Sequence, residues 1–125
     1  MKVDPADFKL ARQWSKVVQA LSQGDEDASG DIGAIGDDGR AFGILQEHPA
    51  FFLAYYGRST FPPDVRDTWT QAFIKAAAAF FEVNTLNHDL DLVVQAFNKG
   101  GAAVFINGVR APEYLAKFHE VYDKL

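Results

Sequence analysis

The chain of 125 residues contains no cysteine, which excludes disulfide bonds and thiolate zinc sites. Basic residues are also scarce, since twelve of them against seventeen acidic residues give a formal net charge of −5. Because this charge repels phosphate backbones, it disfavours nucleic-acid binding. No apolar run approaches the roughly 20 residues of a membrane-spanning helix, so no membrane span is predicted. Residues 1–5 lack the apolar core of a secretory signal, which predicts synthesis in the cytoplasm without a signal peptide.

Apolar residues, in contrast, are abundant. They make up 48% of the chain and include eleven Phe, four Tyr and two Trp. A chain of this length and composition fits one domain, predicted to span residues 1–125, whose folding rests on packing alone.

Helical periodicity predicts about five helices. The first is expected to follow Asp4 as N-cap, with Pro5 in its first turn, and to end at Gly24. Its apolar residues recur every three or four positions, which predicts one buried face: Phe8, Ala11, Trp14, Val18 and Leu21. The other helices are predicted over 49–56, over 64–82 as the longest, from Asp89 or Asp91 to the glycines at 100–101, and from Pro112 onward.

The segment between Gly24 and Gly43 has no helical periodicity. It holds six of the ten glycines of the chain, at positions 24, 30, 33, 36, 39 and 43, together with five aspartates. Glycine permits tight turns and close approach of the backbone to a ligand. We therefore predict one or two short strands here, around 32–35 and 40–45, and a functional loop.

Three segments carry recognisable motifs. They are GDDGRAFGILQ at 36–46, AFNKGG at 96–101 with Ala103-Val104 after it, and PEYL at 112–115. In this order they resemble the motifs of lysozyme-like lytic transglycosylases, especially the small phage and bacterial members. The resemblance implies a mainly α (α+β, lysozyme-like) fold, with a Gly-rich loop or short β-hairpin between the first two helices. It also implies cleavage of the glycan strand of peptidoglycan, with no cofactor required.

The resemblance implies three residues of a saccharide groove. Carried over by position, they are Gln46, Phe97 and Asn98. Amide side chains both donate and accept hydrogen bonds, which suits acetamido and hydroxyl groups. Phe97 departs from the family pattern, since it lacks the hydroxyl of the Tyr found there. From its chemistry Tyr56 is a further candidate, because it combines a flat face with a hydrogen-bonding edge.

Glycosidic cleavage needs a proton for the leaving oxygen, usually from a carboxyl with a raised pKa. The resemblance implies one acidic residue after the first helix, acting as general acid and base. Counting forward from that helix places it near Asp25, and counting back from Gly36 places it at Asp27. Glu26 lies between them and is the preferred candidate, with Asp27 next.

The same acidic segment has a second interpretation as a calcium loop. Asp25, Asp27 and Ser29 occupy positions 1, 3 and 5 of an EF-hand pattern, followed by Gly30 at position 6. Asp31 supplies a further oxygen. Position 12 is Gly36 instead of the expected Glu, so Asp37 or Asp38 would have to complete the site.

Two functions from different classes therefore follow. The first is an enzyme that cleaves peptidoglycan as a lytic transglycosylase or muramidase. The second is a catalytically inactive lysozyme-like module that binds glycan or serves as a virion or secretion component, with or without calcium at 25–37. Without a signal peptide, either protein would reach the cell wall by export with a partner or as a phage-encoded product.

Overall fold

The computed structural model describes residues 5–24, 35–56 and 68–125. In these ranges the protein is mainly helical, as predicted, with one small sheet. The helices are α1 (Pro5–Gln13), α2 (Ser15–Gly24), α3 (Pro49–Tyr56), α4 (Thr68–Asn84), α5 (Leu90–Lys99), α6 (Gly101–Phe105) and α7 (Pro112–Tyr122). The strands β1 (Ile35–Gly36) and β2 (Ala41–Phe42) pair antiparallel. None of the helices so described has the length and apolar character needed to cross a bilayer.

The described ranges contain more helices than the five or so predicted. The predicted first helix is interrupted at Trp14, whose indole N–H donates to the Glu82 carboxylate on α4 at 2.7 Å. Phe8 is 46% exposed, so its predicted burial is wrong. The second addition is α6, since the chain re-enters a helix directly after Gly100, whose φ of 99° ends α5.

The core is built around α4, which packs against α1, α2, α3 and α5. Ala76, Ala77 and Ala78 are fully buried, and their small side chains let the neighbouring helices approach closely. The main apolar cluster joins residues from five helices and one loop: Val17, Val18, Ala20, Leu21, Leu45, Ala77, Phe80, Phe81, Val93, Val94, Ala96, Val104 and Phe118. A smaller cluster unites Phe52 of α3 with Ala72, Phe73 and Ala76 of α4.

Both predicted strand regions contribute to a hairpin, and the second strand, Ala41–Phe42, is shorter than the predicted 40–45. In the hairpin Ile35 pairs with Phe42 and Gly36 with Ala41, while residues 32–34 lie outside the described ranges. The connecting turn runs through Asp37, Asp38 and Gly39, all with positive φ. Asp tolerates the left-handed region because its short polar side chain can form hydrogen bonds with nearby groups of the chain. Here the Asp37 carboxylate lies 3.4 Å from the Arg40 guanidinium.

Side-chain hydrogen bonds cap the start of α5 and join α5 to α7. Asp89 is the N-cap of α5, as one of the two predicted alternatives had it, and its carboxylate accepts from the Leu92 backbone N–H at 2.9 Å. The buried Gln95 accepts a hydrogen bond from the backbone N–H of Ala111, which fixes the start of α7 beside α5. The position of α5 relative to α7 is therefore defined by this hydrogen bond.

His119 of α7 is expected to make the stability of the protein depend on pH. Its imidazole lies 3.1 Å from the Asp123 carboxylate and 2.8 Å from that of Asp91 on α5. Hydrogen bonds to Asp123 and then Asp91 raise the pKa of His119 above its ordinary value. The resulting stabilisation is complete below the unfolded-state pKa of about 6.5 and is lost as the pH rises through the folded-state pKa.

We therefore expect His119→Gln to lower the free energy of unfolding at pH 5.5 and to change it little at pH 8.5. The loss should stay below about 1 kcal/mol, because the imidazole is 34% exposed and solvent screens both ion pairs. Urea denaturation at the two pH values measures this loss of stability. An equal loss of stability at both pH values would show that His119 acts through packing alone.

Candidate functional site

A groove runs between the 46–48 segment and the end of α5. It consists of two adjoining pockets of about 400 Å³ and 250 Å³, both lined by Gln46, His48, Phe97 and Asn98. The larger volume lies within the range of small-molecule sites. The segments that build the groove are far apart in sequence, so only the fold brings these four side chains together.

The loop from Gly43 to Glu47 positions Gln46. It is closed by a bridge in which Phe42 and Glu47 exchange two backbone hydrogen bonds, each 2.9 Å long. Inside the loop the Gly43 carbonyl accepts from the backbone N–H of Gln46 at 3.1 Å and from its Nε2 at 2.9 Å. Gly43 and Gln46 both have positive φ, 79° and 50°. The Gln46 side chain is thus held at the groove by its own loop.

The other wall of the groove is aromatic. Phe97 lies 5.4 Å from the ring of Phe51 in an edge-on arrangement and 5.8 Å from the ring of Phe80. Tyr55 packs edge-on against Phe80 at 5.2 Å and lines the larger pocket. Asn98 follows Phe97 in the last turn of α5 and is exposed. An aromatic wall beside the exposed amide of Asn98 and the half-buried amide of Gln46 is suited to a ligand with both apolar and hydrogen-bonding faces.

Glu47 is the most unusual group of the groove. The residue is 2% exposed, yet it lines the larger pocket beside Gln46 and His48. Neither of its carboxyl oxygens has a hydrogen-bond partner in the part of the chain that the structure describes. Burial in these dry surroundings raises the pKa of Glu47 well above the usual value of a glutamate. The groove therefore contains a carboxyl that favours its neutral form.

The smaller pocket of the groove has a charged edge. The Asp37 carboxylate lies 3.0 Å from Nε2 of His48, and both residues line this pocket together with Tyr114 of α7. The two side chains are about half exposed. This pair links the β1–β2 turn to the 46–48 segment, so the turn forms one border of the groove.

Of the residues predicted to bind saccharide, the structure brings together Gln46, Phe97 and Asn98. Tyr56 lines neither pocket of the groove. Its ring instead lies 5.0 Å from that of Phe52, in the smaller apolar cluster. The tyrosine that lines the groove is its neighbour Tyr55.

The predicted acids and calcium ligands lie outside the described residues. Glu26 and Asp27 as catalytic acids therefore remain predictions, and so do Asp25, Asp27, Ser29 and Asp31 as ligands of calcium. Within 5–24, 35–56 and 68–125, no group of three or more His, Asp or Glu side chains is arranged to hold a metal ion.

Sequence reasoning missed Glu47 and Lys99, which both line the larger pocket. Lys99 lies within the motif at 96–101, so its position was available as a signal. Glu47 directly follows the motif that ends at Gln46, but nothing signalled its burial, because a lone glutamate is nearly always exposed. No protein-family model, curated protein sequence or solved structure matches this chain.

Proposed function

We propose that the groove binds the glycan strand of peptidoglycan and that the protein, as a lysozyme-like lytic transglycosylase or muramidase, cleaves this strand. One observation carries the proposal: Gln46, Phe97 and Asn98, which the motifs select from two distant segments, line the same groove. A chance similarity in sequence would not require these side chains to meet.

The chemistry of the groove supports a sugar ligand. The amides of Gln46 and Asn98 pair with hydroxyl and acetamido groups, and the rings of Phe97 and Tyr55 offer apolar surface to the faces of a sugar ring. Lys99 at the same pocket adds one positive charge, which suits the lactyl carboxylate of N-acetylmuramic acid. The bond to be broken is the one between N-acetylmuramic acid and N-acetylglucosamine.

The acid of the reaction is assigned to Glu26, with Asp27 as the alternative. Its carboxyl gives a proton to the leaving glycosidic oxygen as the bond to that oxygen breaks. In the transglycosylase outcome the 6-hydroxyl of the same muramic acid closes onto C1 and returns a proton to the carboxylate. The product is a 1,6-anhydro end. In the muramidase outcome water takes the place of that hydroxyl.

Loss of turbidity of purified cell walls tests the function. We expect the wild-type protein to clear the suspension, whichever of Glu26→Gln and Asp27→Asn removes the acid to be inert, and Asn98→Ala to be slowed roughly three- to tenfold, the equivalent of one neutral hydrogen bond. Asn107→Ala is the matched control, since it removes an exposed amide from a residue that lines neither pocket of the groove.

One outcome would contradict the enzyme. If the wild-type protein is as inert as both acid variants, cleavage is rejected. Co-sedimentation with insoluble peptidoglycan then decides what is left: binding weakened by Asn98→Ala would identify the inactive glycan-binding module, and absence of binding would reject the groove as a glycan site.

A further inference from the structure

A histidine and a carboxylate meet where the two pockets of the groove adjoin. His48 lines both pockets, and Nε2 of its imidazole lies 3.0 Å from the Asp37 carboxylate. We propose that this pair is the general base of the groove: Nδ1 of His48 takes the proton of the hydroxyl that attacks the sugar, and Asp37 stabilises the imidazolium that forms. The inference rests on the proposed glycan cleavage and adds a separate base to its acid.

The first argument is the protonation of the imidazole ring. A carboxylate beside Nε2 favours the proton on that nitrogen, because the N–H then donates to the carboxylate. The lone pair of the neutral ring is left on Nδ1. Nε2 is the ring nitrogen that the described residues bind, so Nδ1 is the nitrogen that can accept a proton from a ligand.

The second argument is that both members of the pair are held in place. Oδ1 of Asp37 lies 3.4 Å from the Arg40 guanidinium while Oδ2 faces His48, so both carboxylate oxygens are engaged. Arg40 also donates from Nε to the Asp37 carbonyl at 3.1 Å. On the other side, the His48 carbonyl accepts from the Phe52 backbone N–H at 3.0 Å. A carboxylate that orients an imidazole in this way is the usual support of a histidine base.

The third argument is the combination of access and charge. Both side chains of the pair are about half exposed, so a hydroxyl in the groove can reach the imidazole without a rearrangement of the protein. Proton uptake turns the neutral imidazole into a cation beside the carboxylate of Asp37. The attraction between these two charges favours the transfer.

The other titratable groups of the groove are poorer acceptors. They are Asp37 of the turn, Glu47 of the same segment, Tyr55 of α3, Lys99 of α5 and Tyr114 of α7, while α4 contributes Phe80. Phenol and ammonium groups ordinarily hold their protons at neutral pH, and an aspartate carboxylate binds a proton more weakly than an imidazole does. The carboxyl oxygens of Glu47 are covered. His48 is therefore the strongest accessible base among the described residues of the groove.

The proton balance of the reaction closes with the two groups. Glu26 or Asp27 gives its proton to the leaving oxygen as the bond from C1 to that oxygen breaks. The attacking oxygen, from the 6-hydroxyl or from water, forms its bond to C1 and gives its proton to Nδ1 of His48. The imidazolium then passes this proton through water to the ionised acid, which restores both groups.

Initial rates of cleavage of purified cell walls between pH 4 and 9 test the base. Because only the neutral imidazole accepts a proton, we expect the wild-type rate to rise with pH along an acidic limb. His48→Gln should lower the maximal rate by about 10²- to 10⁴-fold and remove this limb, since an amide does not titrate. Asp37→Asn should also lower the rate, because its amide does not stabilise an imidazolium.

Two further measurements separate a base from a residue that only shapes the groove. Free imidazole should restore part of the rate of His48→Ala, since the missing ring came from a half-exposed position. His48→Gln should co-sediment with insoluble peptidoglycan as the wild-type protein does. His88→Gln is the matched control, because it removes an imidazole that lines neither pocket, and it should cleave at the wild-type rate. Melting temperatures confirm that each variant is folded.

The outcomes distinguish the base from the proposed function. If His48→Gln cleaves as fast as the wild-type protein, if it keeps the acidic limb, or if imidazole does not rescue His48→Ala, the base is rejected while cleavage stands. If the wild-type protein itself does not cleave the walls, the proposed enzyme is rejected and the base with it.

Discussion

Gly43→Val is expected to destabilise the protein by about 3 kcal/mol. Gly43 has a φ of 79°, and a left-handed conformation costs an L-residue roughly 1–2 kcal/mol, with β-branched residues among the worst placed there. A Cβ at this position would already lie 3.4 Å from the Phe73 ring. The two methyls of valine would overpack that contact, which costs a further 1–3 kcal/mol or so.

The same variant should also impair the groove. The Gly43 carbonyl holds both the backbone and the side-chain amide of Gln46, so a displaced Gly43 displaces Gln46 as well. We expect glycan binding at 4 °C, where the variant remains folded, to fall roughly three- to tenfold, in line with the loss of one hydrogen bond.

Gly39→Val is the matched control for the stability effect. Gly39 has nearly the same φ, 83°, but a Cβ there meets no atom within 4 Å. Gly39→Val should therefore lower the free energy of unfolding only by the conformational cost, about 1–2 kcal/mol. Chemical denaturation followed by circular dichroism measures both variants. Equal losses would show that contact with Phe73 plays no part in fixing the loop.

Local signals were enough to predict several helices. Pro49 at the first position of α3 and the periodic apolar face of α4 are properties of short segments, and the structure confirms the bounds 49–56 for α3. The interruption at Trp14 could not be predicted in this way. Trp14 bonds to Glu82, which is far away in the sequence, and the periodicity of the first 24 residues runs through position 14 unchanged.

The candidate site shows the same difference between residues that local patterns predict and residues that only tertiary packing places. Gln46, Phe97 and Asn98 could be selected because their motifs are local, and the structure places all three in one groove. Tyr55 lines the larger pocket and the predicted Tyr56 does not, since adjacent residues of a helix point about 100° apart and only the packing of α3 decides between them. The burial of Glu47 is likewise a result of tertiary packing, which no pattern around it encodes.

Glu47→Met is expected to stabilise the protein by about 1–3 kcal/mol at pH 8, the typical cost of leaving a buried polar group unpartnered. Methionine is close to glutamate in length and fills irregular apolar space well. Because burial raises the pKa of Glu47, the folded protein holds a proton that the unfolded chain releases above a pH of about 4.3. The wild-type stability therefore falls as the pH rises from there to the folded-state pKa.

The advantage of Glu47→Met should accordingly grow with pH over this window and level off above the folded-state pKa. Below a pH of about 4.3 the carboxyl is neutral in both states, and only the smaller difference between a buried neutral acid and a thioether is left. Denaturation curves for both proteins at pH 4, 6 and 8 measure this trend.

Glu120→Met provides the comparison, since it removes a carboxylate from an exposed position on α7 and should change stability by less than about 0.5 kcal/mol at every pH. If Glu47→Met were destabilising at pH 8, the carboxyl would have a stabilising partner in the folded protein. A variant that is more stable but binds peptidoglycan more weakly would instead show why the buried acid is present. Binding sites commonly keep groups that the fold alone would be better without, and Glu47 would be such a group.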